Sequence, residues 1–195
     1  MMRFAAPCLA ALMLAACPGP APSPAPAGPR ADADELAVYA VVIDSVLADS
    51  AHPFVVVADS TSVSHVEAET VRNFVADLEP GFPPTAIDDY RERNGARYPL
   101  PAAIPSNTLL RIFSPSRLFI PNGNLRVEYL EFQRRYAPAT SYHTLSRPGF
   151  DTERRRAVIA TGSHCGALCG HGTIVLLERG PDGWRVTQRR TTWVS

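Results

Sequence analysis

Lysine is absent from this 195-residue chain, and its nineteen basic residues are all arginine. That excludes a phosphate-cradling loop of the Gly-x-x-x-x-Gly-Lys-Ser/Thr type, and the Gly-x-Gly-x-x-Gly dinucleotide fingerprint is missing as well. No Gly-x-Ser-x-Gly occurs, so there is no nucleophile elbow. Cys-x-x-Cys-His is also lacking, which removes covalent haem attachment. No apolar run approaches the roughly 20 residues of a membrane-spanning helix. No internal repeat is visible. Net charge is zero, and basic residues do not interleave with aromatics as they would in a nucleic-acid binder, so no nucleic-acid partner is expected.

The charge that is present is unevenly placed. From Ala31 to Ala96 thirteen acids face three arginines, a net −10, whereas Arg97 to Ser195 carries six acids and fourteen arginines, a net +8. Such halves could advertise an anionic partner. The simpler expectation is that acidic helices cover a basic sheet within one domain.

The N-terminus holds one charge at Arg3, an apolar run from Phe4 to Leu14 and then small residues, the pattern of a secretory signal peptide over residues 1–16. Leu14-Ala15-Ala16-Cys17 resembles the bacterial lipobox. The resemblance implies an acylated Cys17 as the mature N-terminus, carrying a diacylglyceryl group and an N-acyl chain, since one chain alone anchors only marginally. Pro18 follows, which in organisms that sort by this position favours the outer membrane over the inner. The implied partner is thus the membrane, reached through Cys17.

Residues 17–33 form a tether of Pro, Ala, Gly and Ser that cannot bury a core and favours extended polyproline II. Residues 34–195 fit one domain. Asp32 caps a first helix running to Ser50, with Leu36, Tyr39, Ala40, Ile43, Val46 and Leu47 on its apolar face. Phe54–Ala58 reads as a buried central strand. A capping box at Ser64–Glu67 opens a second helix to Leu78, and Pro84 starts a short one to Asn94. Thr108–Phe113 is a strand, Leu125–Tyr136 a helix and Tyr142–Arg147 a strand. Asp88-Asp89 and Arg154-Arg155-Arg156 read as solvated. Phe132, Tyr142, Trp184 and Trp193 read as core. The end of the chain gives three strands, Ala157–Thr161, Thr173–Glu178 and Trp184–Val194, the last two joined by the Gly180-Pro181-Asp182-Gly183 turn. The expected class is α+β, a mostly antiparallel sheet with a C-terminal three-strand meander, covered by three or four helices.

Between the first two of those strands, Gly162–Gly172 reads as a loop in which chemistry-capable residues crowd. Leu145-Ser146-Arg147-Pro148-Gly149-Phe150, His164-Cys165-Gly166-Ala167-Leu168-Cys169-Gly170-His171-Gly172, Leu176-Leu177-Glu178, Gly183-Trp184 and Trp193-Val194-Ser195 together resemble a family of uncharacterised bacterial exported domains. The resemblance covers roughly the last fifty residues and implies architecture but no activity. Three readings of the loop stand. Cys165 and Cys169 form a structural disulfide, as an even pair in an oxidising compartment favours. Alternatively His164, Cys165, Cys169 and His171 bind copper or zinc. Or the two cysteines are a redox dithiol, although no helix N-terminus is there to lower a thiol pKa. Ser163 and His164, as neighbours on a strand, face apart, and His143 with Ser146 lacks a carboxylate nearby in sequence. The expectation is a lipid-anchored, non-enzymatic binding or structural module of the cell envelope without catalytic residues or cofactor. Its ligand or protein partner is open, and the alternative is a periplasmic copper-binding or thiol-redox protein.

Overall fold

The computed structural model describes residues 30–62, 68–115, 125–166 and 169–195, with side chains at 68, 69 and 125–128 left aside. The expected signal peptide, Cys17, nearly all of the expected tether and the expected Ser64–Glu67 capping box lie outside the described residues. Among the described residues the elements are helices α1 (Ala33–Val42), α2 (Ala68–Leu78), α3 (Pro84–Arg93) and α4 (Leu125–Tyr136), and seven strands. The strands are β1 (Val55–Ala58), β2 (Leu110–Phe113), β3 (Tyr142–Leu145), β4 (Gly149–Phe150), β5 (Arg156–Gly166), β6 (Cys169–Gly180) and β7 (Gly183–Val194). The fold is α+β, and the C-terminal meander is present as β5-β6-β7.

One sheet runs β2-β1-β3-β5-β6-β7, with β4 beside β5. β1 is parallel to both of its neighbours, and the remaining pairings are antiparallel. That position explains its composition. Val55, Val56, Val57 and Ala58 are all buried because helices cover both faces of the sheet, so the strand is continuously apolar rather than alternating.

The alternation of a strand sorts the core into layers. Val55, Val57, Ala157, Ile159, Val175 and Leu177 face α1. On the other face Val158, Ile174 and Leu176 pack under Val71 and Val75 of α2 and Ala86, Ile87 and Tyr90 of α3. Also on this face, Phe54, Val56 and Phe113 pack under Phe132 and Tyr136 of α4. The second face therefore has two separate helical covers. β4 lies tight against α3: a Cβ on Gly149 would collide with the backbone of Ala86 and Tyr90, and Phe150 N donates to Asp89 Oδ2 at 2.8 Å.

Four expectations need correction. The buried stripe of α1 is Glu35, Val38, Tyr39 and Val42, not the face through Leu36 and Ala40. The stripe is turned because Glu35 is drawn inward by Arg147, and because Ile43–Leu47 continues as a π turn rather than as α-helix to Ser50. Gly162–Gly172 is not an irregular loop: β5 and β6 pair in register as far as Gly166 and Cys169, with one bulge past His164. A ladder is made of backbone, so glycine does not prevent it. Asp89 is not merely solvated, since it holds Arg93 at 2.9 Å as well as Phe150 N. Arg154 and Arg156 are likewise tied, to Asp32 at 2.9 Å and to Glu79 at 2.5 Å.

Those last pairs account for the two charged halves. Asp34 pairs with Arg179 at 3.0 Å, Asp77 with Arg190 at 3.3 Å and Glu35 with Arg147 at 2.7 Å. The acidic N-terminal helices neutralise the arginines of the later strands within one body.

Candidate functional site

The two helical covers leave a gap on their shared face, and the gap is a cleft of about 500 Å³. Its floor is part of a row of rings across the sheet, Trp193, His164 and Tyr142, which continues into the core at Phe113. Trp193 of β7 stands 6.0 Å from His164 of β5, which stacks on Tyr142 of β3 at 4.9 Å and 18°. Tyr142 meets Phe113 of β2 at 4.7 Å. The register aligns these rings, because Tyr142 lies opposite His164 and Trp193 opposite Gly172.

Glycine makes room for the row. Any Cβ on Gly172 would fall inside the Trp193 indole, and one on Gly170 would press its six-membered ring at 3.3 Å. These two glycines share a strand face, so the indole lies across β6. The walls are Val71 and Ile174 on the α2 side, and hydroxyls of Ser60, Ser62, Thr144 and Thr192 elsewhere. Arg97 is the one charged side chain among the described lining residues.

His164 is half-buried. Burial, reinforced by His171, lowers its pKa below the usual imidazole value, so it is neutral at pH 7. A neutral imidazole has one donor and one acceptor nitrogen. The described lining contains no carboxylate and no thiol beside it. The described lining therefore offers stacking, hydrogen bonding and one guanidinium, but no paired acid and base.

Cys165 and Cys169 form a disulfide at the hairpin tip, with their Cα atoms 5.0 Å apart. His164 lies opposite Gly170, while His171 lies opposite Ser163, so the two imidazoles leave the hairpin on opposite faces. The set His164, Cys165, Cys169 and His171 is not gathered around one point, and no metal-holding group of three or more His, Cys, Asp or Glu exists among the described residues. Ser163 shares its face with His143 and His171, not with His164. Ser146 is fully buried; its Oγ donates to Arg147 O and accepts from Ala160 N, which ties it into the β3–β5 packing.

His143 borders a smaller niche of about 130 Å³ with Asp49 and His52. Its Nδ1 has no hydrogen-bond partner among the described residues. Burial first, then the neighbouring His171 and His164, push its pKa down to about 4.

Sequence reasoning placed Trp193 and Tyr142 in the core with Phe132 and Trp184. Phe132 and Trp184 are there, at 1 % and 8 % exposure, and Tyr142 packs against the Phe113–Phe132 cluster while also lining the cleft, but Trp193 is 37 % exposed on the cleft floor. The missed signal is the glycine pair at i and i+2 on β6, which marks a strand face kept clear for a ring on the next strand.

The class so defined is an α+β domain with an aromatic-floored cleft between two helical covers of one sheet face. No family model, curated protein or solved structure matches the chain. No helix of the described residues is long and apolar enough to cross a membrane.

Proposed function

We propose that this protein is a lipid-anchored binding module of the cell envelope that takes a small ligand in the Trp193–His164–Tyr142 cleft and does not turn it over. The carrying observation is the cleft itself. Three neighbouring rings, Tyr142 stacked on His164 and Trp193 tilted beside it, line a cavity within the 300–1,000 Å³ range usual for ligand sites, and Gly170 and Gly172 leave room for the indole. A neutral imidazole with no carboxylate beside it among the described residues supports binding over catalysis. The anchor rests on Leu14-Ala15-Ala16-Cys17 and on the proline-rich spacer behind it. Together these would hold the domain away from the membrane surface, with Pro18 favouring the outer membrane where two membranes exist.

Two measurements test the two halves of the proposal. Cys17→Ser should release a folded domain from the membrane fraction; retention there would remove the anchor. Calorimetric titration of that released chain with 2-naphthalenemethanol, a neutral flat probe, should show saturable binding. Ala160→Leu, which puts bulk into the cleft, should abolish it. Absence of binding, or binding indifferent to Ala160→Leu, would remove the cleft as the site.

A further inference from the structure

We infer that the cleft selects a small monoanion with a flat apolar ring, an aromatic carboxylate. This rests on the binding reading above and adds the chemical class of the ligand.

The charge is set by Arg97. It is exposed at the cleft, and among the described residues it has no ion-pair or ring partner, whereas Arg93, Arg147, Arg154, Arg156, Arg179 and Arg190 are all paired with acids. An uncompensated guanidinium at the rim of a low-dielectric cleft attracts anions. Its planar fork matches a carboxylate through two parallel hydrogen bonds. No described lining residue is acidic, so none of them would offset a ligand's negative charge or hold a cation. A single free guanidinium answers to one negative charge.

The ring follows from the floor and walls. Trp193, His164 and Tyr142 present aromatic surface, and Val71, Ala160 and Ile174 present aliphatic surface. Flat apolar bodies gain area and ring–ring contact in such a setting. A sugar would need groups that grip neighbouring hydroxyls, such as carboxylates and carboxamides, and the described lining has neither. Two of the hydroxyl side chains on the cleft, Thr61 and Thr161, are themselves buried, and Thr61 Oγ1 already accepts from Tyr98 N at 3.0 Å. His164, uncharged, is left to hydrogen-bond the ligand's polar end or to stack on its ring.

The test uses the full Cys17→Ser chain and four probes in calorimetric titrations: 2-naphthoate, 2-naphthalenemethanol, 2-naphthylmethylammonium and glucuronate. The acid should bind roughly tenfold more tightly than the alcohol, the size of one charge-assisted pair. The ammonium should be the weakest of the naphthyl series, and glucuronate should bind more weakly than naphthoate. Arg97→Gln should close the gap between acid and alcohol. Equal affinities for acid and alcohol, or an unchanged gap in Arg97→Gln, would overturn the anion assignment. Glucuronate binding above naphthoate would overturn the ring assignment. In both cases alcohol binding that Ala160→Leu still blocks would leave the cleft itself standing. Failure of all four probes would instead bring down the binding reading, and this inference with it.

Discussion

Arg147→Met strikes the buried ion pair that joins α1 to the β3–β4 connection. Glu35 is 2 % exposed and Arg147 7 %. Arg147 Nε donates to Glu35 Oε1 at 2.9 Å, and its Nη2 donates to Oε2 at 2.7 Å. The substitution deletes both bonds and leaves Glu35 with the Tyr39 hydroxyl at 3.1 Å and Arg93 at 3.2 Å. Stranding a buried charge costs about 3–5 kcal/mol. Because Arg93 still neutralises part of the carboxylate, we expect the low end, about 3 kcal/mol. With a urea slope of about 2 kcal/mol/M the midpoint should fall by roughly 1.5 M. That is a large share of the 5–15 kcal/mol total typical of a domain. Glu35→Leu combined with Arg147→Met removes both charges and should recover at least half of the loss, since apolar replacement of a whole buried pair is often neutral. The assay is urea unfolding followed by circular dichroism. A loss below about 1 kcal/mol in Arg147→Met, or a double variant no better than the single, would refute the claim that a stranded carboxylate is the source of the cost.

His143 should give the domain an acid-sensitive limb. Its folded pKa of about 4 lies below the unfolded value near 6.5, so between those values the unfolded chain binds a proton that the folded one does not. Stability is therefore full above pH 6.5 and declines as pH falls towards 4, by roughly 3 kcal/mol; unfolding of His143→Gln at pH 7 and at pH 4.5 should show a flatter decline than the parent, and an equal decline would reject the assignment. For the hairpin, Cys165→Ala with Cys169→Ala should cost about 2 kcal/mol, the chain-entropy value for so short a loop. Thiol titration of the unfolded chain without reductant should find neither cysteine free, and two reactive thiols there would contradict the bridge.

Much of the frame was legible because it rests on local signals. The four apolar residues of β1 sit in a central strand, α4 spans Leu125–Tyr136 as its spacing implies, and the Gly180–Gly183 turn joins β6 to β7. Four features were not legible, each for a physical reason. Glycine around Cys165 and Cys169 reads as loop, yet the β5–β6 ladder continues through it because pairing uses only backbone groups. The phase of α1 was missed because a buried Glu35 looks polar until its partner, 112 positions away, is known. The cleft depends on where one helical cover stops and the next begins, which no run of residues encodes locally. Trp193 looked like core because an aromatic near a chain end is equally suited to either place until Gly170 and Gly172 are seen opposite it.

The place of β1 bears on how the molecule assembles. Both of its neighbours, β2 and β3, come later in the chain, so a nascent polypeptide holds a bare valine segment with no edge to join. The β5-β6 and β6-β7 pairings of the final meander, by contrast, join strands that are consecutive in sequence. Assembly that begins at the C-terminal end and receives the valine strand last would leave the stickiest segment uncovered for the longest time, because its two partners, β2 and β3, must be in place first.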